Sequence, residues 1–300
     1  MEKILVTGAG GFVGGHLVTY LQEQGYEVIG VDINAPTTEK NFRPIDIRNQ
    51  EHIRELLDQI RPKFIFHAAA QTSVTESMRL PKKDVETNVL ASINLALQSA
   101  EFGVKRFIFF SSGGALYGNP SELPVSEDTE IKPLSIYGTS KAATENYLNI
   151  IQSNTNLECS VLRPANIYGP GQNPFGEAGV VAIFTEKMLR GEQVTIFGNG
   201  QQSRDYIYVE DVTKAALASA LGAPNTCNIG SGIETTTQNI FELIAKQTSY
   251  QLLPIYENER PGEVDRIALD YSKATAQWNW KPTVTLEEGI HRTVEWFRKQ

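Results

Sequence analysis

Tyr137 and Lys141 stand four positions apart in Tyr137-Gly-Thr-Ser-Lys141, so a helix here presents a phenol and an ammonium on one face. A free tyrosine has a pKa of about 10 and is a poor base at neutral pH. A neighbouring positive charge favours the phenolate and lowers that pKa. Such a tyrosine can take a proton from a hydroxyl while hydride leaves the same carbon. The third group this chemistry needs is a hydroxyl that holds the reacting oxygen. Ser111 and Ser112, at the end of the apolar run Arg106–Phe110, both qualify. Ser112 is the better placed, because Gly113 and Gly114 follow it and let a substrate lie against the backbone.

Hydride needs an acceptor, and the first forty residues are built to hold one. The run Lys3–Thr7 reads as a strand and leads into Gly8, Gly10, Gly11, Gly14 and Gly15, after which a helical pattern begins. Glycines let the backbone turn tightly against a pyrophosphate, and the following helix points free N–H groups at it. As G-x-G-x-x-G the fingerprint breaks at Val13; as G-x-x-G-x-x-G it is complete with Gly8, Gly11 and Gly14. A second strand, Tyr26–Val31, runs into Asp32, where a carboxylate meets the adenosine ribose. That carboxylate accepts from both ribose hydroxyls and repels a 2′-phosphate. Ile33, Asn34 and Ala35 supply no arginine for such a phosphate, so NAD is expected rather than NADP. The positive nicotinamide ring then adds to the effect of Lys141 on Tyr137, and a sugar hydroxyl is a suitable proton donor.

The elements that must position these groups alternate along the first half. Lys63–His67 follows a helix around Glu51–Ile60, Arg106–Phe110 follows one around Asp84–Phe102, and Cys159–Arg163 follows one around Ser140–Ser153. Strands separated by single helices pair in parallel through right-handed crossovers, which predicts an α/β fold with a Rossmann doubly wound sheet. Ligands then sit outside the carboxyl ends of the strands, the edge where Asp32, Asp46, His67, Ser111, Ser112 and Asn166 fall. Beyond Arg163, prolines and glycines crowd the chain. A helix about Glu177–Arg190, a strand Val194–Phe197, a helix Val209–Leu221 and a returning strand Cys227–Ile229 follow. The expected division is a dinucleotide-binding domain over 1–168, rejoined by about 205–230. A smaller, discontinuous C-terminal substrate lobe takes 169–204 and 231–300.

Composition narrows the class. Three hundred residues with 41% hydrophobic content can bury a sizeable core without covalent staples. A formal charge of −8 with dispersed Lys and Arg argues against a nucleic-acid partner. Cys159 and Cys227 lie in apolar strand contexts and read as core thiols of a reducing compartment. No apolar run approaches the length of a membrane span, and the first strand begins too early for a signal peptide; cytoplasm is the expectation. No metal site is expected.

Taken together these segments resemble the extended short-chain dehydrogenase/reductases, within them the nucleotide-sugar 4-epimerases of the UDP-glucose 4-epimerase type in the NAD-dependent epimerase/dehydratase family. The resemblance spans nearly the whole chain. It implies that Gly8, Gly11, Phe12, Val13, Gly14, Asp32, Asp46, Ile47, Ala68, Ala69, Ala70 and Asn88 line the cofactor, with Tyr137 and Lys141. It also implies that Ser112, Asn166, Val180, Thr195, Ile196, Phe197, Arg204, Tyr206, Arg260 and Glu263 meet the sugar nucleotide. Arg204 and Arg260 suit phosphate oxygens, which a guanidinium holds bidentately. Two family variants fit less well. Dehydratases carry an Asp-Glu pair beside the reacting hydroxyl and decarboxylases a glutamate, whereas Gly113 and Gly114 stand here. The expectation is an NAD-dependent 4-epimerase of a UDP-hexose, interconverting UDP-glucose and UDP-galactose through a transient 4-keto sugar. Alternatives are an epimerase of UDP-glucuronate or a UDP-N-acetylhexosamine, a 4-ketoreductase, or a non-catalytic NAD-responsive binding protein. A homodimer through exposed helix faces is also implied.

Overall fold

A computed structural model describes residues 2–34, 41–175, 179–259 and 264–300. Seven parallel strands form the central sheet: β1 (Lys3–Thr7), β2 (Glu27–Asp32), β3 (Phe42–Pro44), β4 (Phe64–His67), β5 (Arg106–Phe110), β6 (Glu158–Pro164) and β7 (Thr226–Ile229). Their order is β7-β6-β5-β4-β1-β2-β3. The central strands are apolar throughout because both faces are covered. Alternation sends Ile4, Val6, Phe64, Phe66, Ile108 and Phe110 into one core, and Leu5, Ile65, Phe107 and Phe109 into the other.

Helices α1 (Phe12–Glu23), α2 (Gln50–Ile60), α3 (Val74–Arg79), α4 (Pro81–Asp84), α5 (Ala91–Glu101), α6 (Ile136–Asn154) and α7 (Val209–Leu221) flank this sheet. Leu17 and Leu21 of α1 join Val212, Ala215 and Ala216 of α7 on the first face. Ile53 and Leu57 of α2, Leu95 of α5, and Leu148 and Ile151 of α6 cover the second.

Two helices depart from their expected limits. The pattern Asp84–Phe102 predicts one continuous helix, but a π-helical stretch, Val85–Leu90, separates α4 from α5. Asp84, Asn88 and Ser92, four residues apart, all lie buried there. A π turn of this kind often marks a functional site. The helix expected around Ser140–Ser153 begins earlier, at Ile136, because the Ser135 hydroxyl caps it by accepting from Gly138 N at 3.1 Å. That start puts Tyr137 in the first turn.

A third core lies beyond β6, around Tyr168, Phe184, Met188, Val194, Tyr206, Tyr208, Phe241, Ile244, Ile290 and Val294. Short strand pairs border it: Asn166–Tyr168 with Tyr206–Tyr208, and Thr195–Phe197 with Ile255–Glu257. The helix expected from Glu177 is described from Val180 to Leu189; Glu177 itself is outside the described residues. Part of the C-terminal stretch turns back to the sheet side. Ala274, Trp278 and Trp280 pack in the first core, with the Trp280 indole N–H donating to Asp211 O at 2.9 Å.

Candidate active site

The glycine turn after β1 is packed too closely for side chains. Gly8 has φ +72°, and a Cβ there would come within 2.6 Å of Ala69 N. A Cβ at Gly14 would collide with the Gly8 carbonyl, so α1 can seat its first turn against the turn only as glycine. Phe12 and Val13 open that first turn, half-buried. Asp32 ends β2 opposite the loop, and its carboxylate accepts from Gly10 N at 3.1 Å and Asn34 N at 2.9 Å. Ala35 is outside the described residues. Ala68, Ala69 and Ala70 form the neighbouring wall after β4, with Ala69 N donating to Thr7 Oγ1 at 3.3 Å.

Two grooves open on the surface, one of them bordering the glycine turn. One of about 650 Å³ is lined by Gly10, Gly11, Phe12 and His16; the other, of about 930 Å³, is lined by Asp46, Arg48, Glu86 and Asn94. Asp46 accepts from the Arg48 guanidinium at 2.6 Å, and that bond holds its carboxyl below the usual range. Ile47 points into the sheet core. A turn that only glycine can make, a helix N-terminus behind it and a carboxylate at the end of β2 fit a dinucleotide without a 2′-phosphate.

At the end of β5 the reacting groups converge. The Ser112 hydroxyl lies near enough to the Tyr137 phenol to oppose the rise in its pKa, and Lys141 lies one turn further along α6. Lys141 Nζ donates to Phe110 O at 2.8 Å and sits 5.8 Å from the centre of the Tyr137 ring. Close backbone packing makes the meeting possible. A Cβ on Gly138 would stand 2.5 Å from Ala115 O, so the helix start presses on the turn after Ser112. A Cβ on Gly113 would meet Arg163 O at 2.8 Å and also the Leu269 side chain. Position 113 therefore has no room for an acid. Ser111 is buried, and its hydroxyl lacks a partner among the described residues.

Burial governs the electrostatics of the protein without cofactor. The Tyr137 ring is partly exposed, but withdrawal of its hydroxyl from water pushes the pKa up to about 12; Ser112 opposes this and Asp84 reinforces it. Burial brings Lys141 down to about 8, against the pull of Asp84 and Glu145. In the protein alone desolvation dominates, and the phenol stays protonated.

Buried polar networks fix these groups from beneath. His67 Nε2 meets Ser92 Oγ at 2.8 Å, Ser92 donates to Asn88 O, and His67 Nδ1 meets Thr7 Oγ1 at 2.7 Å. With the Ser92 proton given to Asn88, Nε2 donates and Nδ1 accepts. Burial and Lys141 lower the ring's pKa to about 3, so it stays neutral. Glu145, one turn beyond Lys141, holds Arg163 at 2.6 Å, and Arg163 also donates to Tyr117 OH at 2.8 Å. Sequence reasoning quoted Arg163 but did not see this pair. The signal was the stripe Tyr137, Lys141, Glu145 at intervals of four.

Several sequence-derived positions fall elsewhere than expected. The Asn88 amide is committed inside the protein: it accepts from Gln71 N at 2.9 Å and donates to Gln71 O and Asp84. It shapes the loop after Ala70 from behind. Ile196 turns its side chain into the third core, as alternation requires when Thr195 and Phe197 face the other way. Tyr206 is likewise buried, its ring edge-on to Tyr168. Arg204 lies beside Asp265, donating to its carbonyl, and Asn166 opens the strand next to Gly114. Val180 begins its helix. Arg260 and Glu263 are outside the described residues. Asp205, between Arg204 and Tyr206, was passed over: it accepts from Ser231, Gly232 and Leu269, tying three segments together.

Comparison with known proteins agrees with this geometry. The pattern of the NAD dependent epimerase/dehydratase family matches residues 4–230. The chain is 41% identical to a putative UDP-glucose 4-epimerase of Methanocaldococcus jannaschii, over 98% of each chain. It is 39% identical to the UDP-glucose 4-epimerase of Mycolicibacterium smegmatis, over 99% of each. A crystal structure of UDP-glucose 4-epimerase from Thermotoga maritima with UDP-glucose superposes with a TM-score of 0.97 at 45% identity, covering 99% of both chains.

Proposed function

This chain belongs to the NAD dependent epimerase/dehydratase family, and from that premise we propose that it is a UDP-glucose 4-epimerase. The observation that carries the reading is the convergence of Ser112 at the end of β5 with Tyr137 and Lys141 on successive turns of α6, where Gly138 packs against Ala115 O and Lys141 Nζ donates to Phe110 O at 2.8 Å. NAD, when bound in that cradle, supplies an acceptor and donor of hydride. Tyr137 takes the proton of the 4-hydroxyl and later returns it, and Ser112 holds that oxygen in line. Lys141, cationic, steadies the phenolate form. Asp32 holds the adenosine ribose. Arg204, Asn166, Thr195 and Phe197, with Val180, Arg260 and Glu263, grip the nucleotide diphosphate and leave the hexose free to turn over. Elimination is disfavoured, because Gly113 leaves no space for the acid that would drive it.

The test uses the purified protein and UDP-glucose with no added reduced cofactor. UDP-galactose should accumulate to a fixed ratio. No turnover of UDP-glucose, with stoichiometric oxidation of NADH once NADH and a 4-keto nucleotide sugar are supplied in a second assay, would indicate a ketoreductase, and turnover only of UDP-glucuronate or UDP-N-acetylglucosamine would reassign the sugar.

The fold also favours a homodimer. Leu90, Leu97, Tyr147 and Ile150 are exposed on the adjoining α5 and α6 side of the molecule. Joining two copies there would remove these side chains from water. Sedimentation should give twice the chain mass, and Ile150→Asp should shift it toward the monomer. No helix of the described residues is long and apolar enough to cross a membrane. Both cysteines are buried free thiols, which suits the cytoplasm.

A further inference from the structure

Among the described residues, Asp84 is a buried carboxylate beside the reacting groups that neither the mechanism nor an ion pair uses. It is fully buried at the end of α4, where the π turn begins. One oxygen accepts from Gln71 Nε2 and from Asn88 Nδ2, each at 3.0 Å. The other, Oδ2, is buried and has no hydrogen-bond partner among the described residues. A carboxylate placed this way is costly unless its charge is used. The helix that carries Tyr137 and Lys141 packs directly on this corner. Tyr137 N donates to Ser77 Oγ at 3.1 Å, Thr144 Oγ1 donates to Asn88 O at 2.9 Å, and α4 packs against α6.

The charges around Lys141 sort themselves by pairing. Glu145 acts on it too, but Glu145 is spent on Arg163, and both are withdrawn from water at 6% and 8% exposure. On α3, Glu76 pairs with Lys83, and Arg79 is exposed. Glu86 of the π stretch pairs with Lys82. His67 is neutral. Asp84 makes no ion pair among the described residues, so its field reaches α6 uncancelled.

We propose that Asp84 is a positioning residue whose buried negative charge keeps Lys141 cationic and sets the pH range in which Tyr137 and Lys141 work together. The inference rests on the roles given to Tyr137 and Lys141 above. The same charge favours the ammonium and disfavours the phenolate, so removing it lowers both pKa values. The two limbs of the kcat profile must then move the same way, toward lower pH.

The experiment measures kcat against pH for the NAD-loaded enzyme with UDP-glucose, comparing wild type, Asp84→Asn, Asp84→Glu and Gln71→Leu. Asp84→Asn keeps an acceptor for Gln71 and Asn88 but no charge; both limbs should fall by roughly one pH unit, the lower end for a nearby buried charge. Asp84→Glu should restore them, and Gln71→Leu should change the height of the profile without moving its limbs. Limbs that stay in place while Asp84→Asn loses activity would overturn the proposal, as would limbs moving in opposite directions. If Asp84→Asn fails to fold, Asp84→Ser is judged by the same criterion. Failure of both neutral variants, with Asp84→Glu folded, would make the carboxylate a structural element and overturn the proposal too. Absence of wild-type turnover would instead strike the epimerase reading itself.

Discussion

Tyr137→Phe should lower kcat for UDP-glucose by about 10²–10⁴-fold, the range for loss of a general acid–base group, while KM stays near its wild-type value. The substitution removes one oxygen and leaves the ring against Lys141, so folding and nucleotide binding are retained. Only the phenol oxygen beside Ser112 and its proton transfer are lost. Ser112→Ala should cost less, because Tyr137 can still exchange the proton without its partner. Steady-state kinetics with calorimetric binding of UDP separates the two effects. A Tyr137→Phe enzyme turning over within a few-fold of wild type would remove the phenol from the mechanism.

Arg163→Met should destabilise the fold by about 3–5 kcal/mol, the usual cost of stranding one member of a buried ion pair. Glu145 would be left on α6 with its carboxylate in the interior, since among the described residues Arg163 is the one that hydrogen-bonds it. The pair also ties α6 to β6, and through Tyr117 OH to Asn228 on β7. Replacing both partners, Arg163→Met with Glu145→Leu, should recover most of the loss, because no charge is then left buried. Urea unfolding of the two single variants and the double variant measures this directly. Equal stability of Arg163→Met and wild type would mean that the interior tolerates the lone carboxylate.

Local chemistry was legible from residue order; what depended on long-range packing was not. Gly8, Gly14 and Asp32 announced the cradle because the turn after β1 and the end of β2 are set by neighbours in sequence. Tyr137 and Lys141 were readable for the same reason, four residues being one turn. The burial that raises the phenol's pKa in the protein without cofactor is a property of the assembled site, which residue order does not display. Ile196 and Tyr206 lay in segments whose spacing matched a nucleotide clamp, yet strand alternation and the third core turned their side chains inward. The π turn that gathers Asp84, Asn88 and Ser92 left no mark in a pattern that reads as plain helix. Asp205 and the Glu145–Arg163 pair depend on contacts between residues many positions apart, which order alone does not display.

The central claim is that the hydrogen on C4 departs as hydride and returns to the same carbon, with Tyr137 handling only the hydroxyl proton. UDP-glucose carrying deuterium at C4, converted in ordinary water and analysed by mass spectrometry, tests it most directly. The account predicts that UDP-galactose retains the deuterium in full. Loss of the label to solvent would mean that C4 gives up a proton instead, and would contradict the mechanism.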